Sequence, residues 1–190
     1  MNRRELLMGG TALLLATRTG AQPVEPAALW SELERGGVAV LLRHAQTDPG
    51  IGDPPGFRLG DCATQRNLSA EGRQQAQRIG AALAARGVRI DQVLSSQWCR
   101  CLETARLAFP KGKVEPYPAL NSFFEDRSAE AQQTREAAAR IAAIRAPANV
   151  VFVTHQVNIV ALAGVSVAAG EAVLLRPAGG TVRTLGRLAL

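Results

Sequence analysis

Apolar positions along the chain follow two periods. Val38 to Leu42 is an unbroken apolar run behind Gly36-Gly37, and Val150 to Val153 is another behind Asn149. Such runs predict strands buried on both faces, as in parallel sheets. Val88 to Leu94, interrupted by Asp91, predicts a third strand. Between them the spacing becomes helical. Ala76, Ile79, Leu83 and Ala84 form one stripe of a helix that Ser69 caps, Glu71 supports in its first turn and Gly87 ends. Gln97 to Phe109, Ser128 to Arg145 and Asn158 to Ala163 predict further helices. A short strand is expected near Val114, with final strands at Ala172 to Leu175 and Thr181 to Leu190 around Gly179-Gly180. Strands alternating with helices predict an α/β fold, a three-layer sandwich whose mostly parallel central sheet is flanked by helices. Ligands in such folds sit at the carboxyl ends of the strands.

The first 21 residues do not fit that alternation. Arg3-Arg4 precede a twelve-residue apolar run from Leu6 to Thr17, and small residues lead to Ala21. The run is too short to span a bilayer. A basic start, a short apolar middle and a small-residue exit read as a signal peptide. The arginine pair before Glu5-Leu6-Leu7 resembles a twin-arginine export signal. Residues 22–190 then form a single domain, expected to be periplasmic or secreted, with no stable membrane span after cleavage.

Export makes the three cysteines informative. An oxidising compartment permits one disulfide and leaves one thiol. Cys101 shares a helical face with Ala105 and Ala108, as a small core residue would. Cys99 shares one with Glu103 and Arg106. Cys62–Cys99 is therefore the expected pair, with Cys62–Cys101 as the alternative. The closed loop would contribute about 3–4 kcal/mol on the chain-entropy estimate. No cysteine spacing suits a zinc site.

Composition excludes several classes. At 47% hydrophobic and 20% charged, the chain is neither disordered nor fibrous. Aromatic residues make up 4%, too few for base-stacking platforms. The net charge is +6, and all of the 22 basic residues except Lys111 and Lys113 are Arg. They are scattered and lack the basic stripe of a nucleic-acid binder. Arginine does favour bidentate anion recognition. From Pro49 to Gly60, seven of twelve residues are Pro or Gly, a loop of the kind that serves function.

The chemistry converges on strand ends. The only two histidines, His44 and His155, directly follow the first and last of the three buried runs. Arg43 adjoins His44, and Arg100 lies just beyond Ser95-Ser96 at the end of the other. A lone core histidine most often just hydrogen-bonds a carbonyl, but two in matched contexts point to a shared site. Two Arg, two His and a helix N-terminus suit a doubly charged phosphate.

The order of these blocks resembles the histidine phosphatase superfamily, the phosphoglycerate mutase and acid phosphatase clan. Leu-Leu-Arg43-His44-Ala-Gln-Thr47 resembles its Arg-His-Gly motif. Asn67-Leu68-Ser69-Ala-Glu-Gly72-Arg-Gln-Gln75-Ala76 resembles its next helix start. Ser95-Ser96-Gln-Trp-Cys-Arg100-Cys-Leu-Glu-Thr104-Ala105 resembles its second arginine segment, and Val-Thr154-His155 its second histidine motif. The blocks run in order from about Val38 to Gly164.

The resemblance implies a phosphoglycerate mutase-like fold and a metal-independent phosphomonoesterase without cofactor. His44 would be the nucleophile, and Arg43, Arg100 and His155 would hold the phosphoryl oxygens. Glu125 would be the general acid, with Asp126 as the alternative, because Gln156 stands where some members carry an acid after the second histidine. Phe123 and Phe124 would dry the site and raise the carboxyl pKa. The loop from Asp48 to Arg66 would wall the pocket, pinned beside Arg100 by the disulfide. Arg58 and Arg66 are candidates for substrate contact or plain surface charge. Ala45 replaces the usual Gly, Gly50 stands in place of a phosphate-binding Asn, and Gln65 stands near a frequent Asp. The last two disfavour a mutase. The implied partner is a small-molecule phosphate monoester, with an envelope phosphosugar as one candidate and nucleic acid excluded. A phosphotransferase or mutase of the same superfamily and a non-catalytic phosphosugar-binding module are the rival readings.

Overall fold

The computed structural model describes residues 25–190, so the expected signal peptide lies outside the described residues. Its elements are α1 (Pro26–Arg35), β1 (Ala39–Arg43), α2 (Ala70–Ala85), β2 (Gln92–Ser95), α3 (Cys99–Ala108), β3 (Val114–Pro116), α4 (Glu130–Ala142), β4 (Val150–Thr154), α5 (Gln156–Ala163), β5 (Ala172–Ala178) and β6 (Thr181–Leu188). They form one six-stranded sheet in the order β3-β2-β4-β1-β5-β6. The first four strands in that order run parallel, and β5 and β6 add an antiparallel edge. Gly179 and Gly180, both at positive φ, make the tight turn between β5 and β6.

Parallel strands need crossovers, and the crossover helices cover both faces. In β1, Val40 and Leu42 face a core that includes Leu29 and Leu33 of α1, Ile79 and Leu83 of α2, and Ala105 of α3. Ala39 and Leu41 face the opposite core, which includes Ala137 and Ile141 of α4 and Ile159 of α5. Strand β4 alternates in the same way, with Val151 and Val153 on one side and Val150 and Phe152 on the other. This is the expected three-layer α/β sandwich.

Several boundaries differ from the pattern reading. Helix α1 was not marked by it, although Pro26 opens the helix and Leu29 and Leu33 lie one turn apart on its buried side. Helix α3 starts at Cys99 instead of Gln97. The amide of Gln97 donates to Asn121 Oδ1 and that of Trp98 to Ser96 Oγ, so side chains hold this stretch out of the helix. Helix α4 begins at Glu130, after a 3-10 turn, Arg127–Ala129, that Asp126 caps. It ends at Ala142, three residues short of the expected Arg145. The second strand is confined to Gln92–Ser95.

Two close approaches fix α2. Gly80 packs on the Ala108 carbonyl of α3, and Gly72 packs on the Gln46 carbonyl just past His44. An added Cβ at Gly72 would lie 1.8 Å from that oxygen. Gly72→Ala should therefore destabilise the protein by about 1–3 kcal/mol through overpacking, despite the better helix propensity of Ala. Urea unfolding of both proteins measures the difference.

Candidate functional site

Sheet register brings the expected residues together. Strands β1 and β4 are parallel neighbours with Arg43 opposite Thr154, so His44 and His155 leave the same edge of the sheet side by side. Their ring centroids are 5.5 Å apart. Strand β2 pairs with β4 through Ser95 and Val153, which places the start of α3, with Arg100, at the same edge. A cavity of about 500 Å³ opens there. It is lined by Arg43, His44, Arg100, His155 and Glu125, and also by Arg66 of the long loop.

Hydrogen bonds define both imidazoles. His44 Nδ1 lies 2.8 Å from the Ala45 carbonyl, which can only accept, so Nδ1 carries the proton and Nε2 keeps its lone pair. His155 Nδ1 lies 3.4 Å from Arg100 Nη2, which can only donate. His155 Nε2 therefore carries the proton and donates to Ser96 Oγ at 2.8 Å. Ser96 passes the chain on to Asn121 Oδ1. Both rings are buried, at 5% and 4% exposure. Burial, then the charge of Arg100, pushes the His44 pKa down to about 3, against the Ala45 hydrogen bond. Burial, Arg100 and His44 push that of His155 well below its ordinary value.

Three arginines surround these neutral rings. Arg43 donates from Nη1 to the Val167 carbonyl at 2.7 Å, and Arg66 from Nη1 to the Gly50 carbonyl at 2.5 Å. Arg100 forms an ion pair with Asp53 at 2.7 Å, both side chains being almost fully buried. The Nε atoms of all three arginines are buried without a hydrogen-bond partner among the described residues. Buried donors in native proteins are nearly always satisfied. Three such donors around one pocket suit a multidentate anion such as phosphate.

The long loop forms one wall, as expected, and Cys62 and Cys99 are joined across it with their Cα atoms 5.7 Å apart. Cys99 is itself buried, so reach to Cys62 and not wetness separates it from Cys101. Gln65 reinforces the pin by accepting from the Cys99 amide at 2.9 Å. Arg66 lines the pocket, whereas Arg58 is exposed and pairs with Asp61. Thr104 ties the base of the site together, accepting from the Ala45 amide and donating to the Arg100 carbonyl.

The carboxylates correct one expectation. Phe123 is 2% exposed in the core and Phe124 is 54% exposed at the rim, so they do not enclose a dry carboxyl. Glu125 is exposed at the pocket mouth, 3.4 Å from the Asp53 amide. Asp126 also lines the pocket but accepts from the Ser128 amide as a cap. That bond holds its carboxyl below the usual range. Asp53 was missed altogether. Its only signal was to be the sole acid within the Pro/Gly-rich stretch from Pro49 to Gly60. Among the described residues, no three His, Cys, Asp or Glu side chains stand together as a metal site would require.

The two histidines predict a pH dependence. Both are neutral in the fold, while in the unfolded chain they titrate near 6.5. Below that pH the unfolded state binds more protons, so their contribution to stability is complete above pH 6.5 and is lost towards pH 3. The thermal midpoint should already fall between about pH 6.5 and 5, above the carboxylate range. His44→Asn should make the fall shallower, as read by circular dichroism.

Known proteins place the geometry in context. The family described as Histidine phosphatase superfamily (branch 1) matches residues 39–123. No curated protein matches the sequence. Among solved structures, a mycobacterial glucosyl-3-phosphoglycerate phosphatase is 19% identical with a TM-score of 0.59, over 80% of this chain and 98% of its own. The alpha-ribazole phosphatase of Shigella flexneri is 21% identical with a TM-score of 0.57, over 80% and 96%. The protein histidine phosphatase SixA bound to tungstate is 14% identical with a TM-score of 0.53, over 80% and 96%. These structures share the fold. Over residues 39–123 the chain is thus similar to the histidine phosphatase superfamily, and over about 80% of its length it shares the fold of these phosphatases.

Proposed function

We propose that the protein hydrolyses phosphate monoesters through a phosphohistidine on His44. The observation that carries this is the tautomer of His44. Its Nδ1–H is tied to the Ala45 carbonyl, and its Nε2 lone pair belongs to a neutral ring in a pocket lined by Arg43, Arg66 and Arg100. A nucleophilic imidazole must be neutral at the attacking nitrogen, and burial keeps it so.

The reaction follows from these residues. His44 Nε2 attacks phosphorus, the P–N bond forms and the ester P–O bond breaks. Arg43, Arg100 and the His155 region offset the charge that develops on the phosphoryl oxygens. The leaving oxygen takes a proton from Glu125. A water then attacks the phosphohistidine and gives its proton back to Glu125. The P–N bond breaks to release inorganic phosphate and restore neutral His44. Glu125 is preferred over Asp126 because the latter is held ionised in its cap by Ser128. No step is assigned to a metal or cofactor. The half-apolar mouth, with Ile51 and Phe124 exposed beside Glu125, suits a small-molecule ester, and an envelope phosphosugar is the candidate that export favours.

Turnover of p-nitrophenyl phosphate in the presence of a chelator tests this reading. The wild type should be active and His44→Ala inactive. Glu125→Gln should lose about 100-fold on alkyl phosphates, the usual worth of a general acid, whereas its pre-steady-state burst of p-nitrophenol should keep nearly the wild-type rate, because that leaving group needs no proton and Glu125 then serves only the later attack of water. Binding without turnover, or transfer to an added alcohol instead of water, would support the rival readings. Export is supported by the twin-arginine-like start and by the Cys62–Cys99 disulfide, which suits an oxidising compartment. N-terminal sequencing of the exported protein should begin at Gln22; a product that retains Met1 would refute the signal peptide.

A further inference from the structure

One buried charge has no part in the chemistry above. The Asp53 side chain is 5% exposed and that of Arg100 is 4%. Asp53 Oδ1 accepts from Arg100 Nη1 at 2.7 Å and from the Arg66 amide at 3.0 Å, and Oδ2 accepts from the Trp98 indole at 2.9 Å. One carboxylate thus joins the long loop to the start of α3. Burial pushes this carboxyl up, but the Arg100, Arg66 and Trp98 hydrogen bonds outweigh it and leave Asp53 ionised.

The position of this charge matters for the pocket. Arg43, Arg66 and Arg100 line one cavity with two neutral histidines. Asp53 takes the Nη1 corner of Arg100. That leaves Nε, which has no partner among the described residues, and Nη2, which lies beside His155. A pocket with three uncompensated cations would hold substrate, transition state and product alike. Such uniform binding adds nothing to turnover and slows release of a multiply charged product.

We propose that Asp53 is a positioning residue that orients Arg100 through its Nη1 corner and, as the buried counter-charge, weakens the pocket's hold on inorganic phosphate. This rests on the phosphomonoesterase reading. It assigns Asp53 no contact with the reacting atoms.

The test compares wild type with Asp53→Asn, which keeps the shape and removes the charge. Inhibition by inorganic phosphate and calorimetric titration with phosphate are measured on both. Phosphate should bind Asp53→Asn about tenfold more tightly, the order expected for removing one partly screened charge, while kcat falls. A merely structural role predicts that phosphate affinity and kcat fall together. Phosphate binding no tighter than in wild type overturns the proposal. If Asp53→Asn does not fold, Asp53→Ser repeats the comparison; failure of both to fold also overturns it, since the carboxylate is then a folding element. A wild type that binds phosphate without turnover sinks the phosphomonoesterase reading alone, because calorimetry still compares the two proteins. A wild type that neither binds nor turns over phosphate sinks both.

Discussion

Parallel pairing of β1 with β4 is the constraint on which the site depends. Each strand ends in a histidine, and a parallel register sends both ends to the same edge of the sheet. An antiparallel pairing of the same segments would have put the rings at opposite ends. The pairing is held by residues that face away from the site. Val40, Leu42, Val151 and Val153 lie in one core, and Leu41 and Phe152 lie in the other. Burial on both faces fixes register, since a slip of one residue would exchange the two cores. Precision at the edge that carries both histidines thus originates in hydrophobic packing on either side of the strands.

Charge economy is the second theme. Three guanidinium groups share a pocket with two imidazoles, and burial keeps both imidazoles neutral. Neutral rings leave His44 the Nε2 lone pair that the proposed attack requires, and they avoid adding cations to an already positive site. The fold supplies their tautomers with fixed acceptors, the Ala45 carbonyl for His44 and the Ser96 hydroxyl for His155. Asp53 supplies the only buried ion pair among the described residues at this pocket. The Arg100 and Asp53 charges are thus removed from water together, which is tolerable because each is hydrogen-bonded.

The long loop shows how a Pro/Gly-rich segment becomes a rigid wall. Three kinds of tether hold it to α3: the Cys62–Cys99 disulfide, the Gln65 side chain on the Cys99 amide, and Asp53 on Arg100 and Trp98. All three end within the first turn of α3 or its N-cap. The segment that positions Arg100 and the loop that covers it are therefore one mechanical unit.

Much of this was legible in the sequence. Unbroken apolar runs marked β1 and β4 because their residues pack on both faces, and the breakers around them marked the loops. The residue blocks around His44, Arg100 and His155 marked the pocket, since rare titratable groups followed buried strands. The Cys62–Cys99 pair was also expected, from the helical faces of Cys99 and Cys101, but Cys99 is itself buried and reach to Cys62 decides the pairing. Asp53 was not readable, because an acid between glycine and proline looks like any turn residue until Arg100, 47 positions away, is folded against it. Arg66 was readable only as one of two alternatives, substrate contact or surface charge, because its neighbours in the chain do not distinguish a pocket wall from open surface. Local pattern determines which segments become strands and helices, because burial periodicity is written residue by residue. Which charges meet is decided only by tertiary structure, because an ion pair depends on distance in space and leaves no period in the chain.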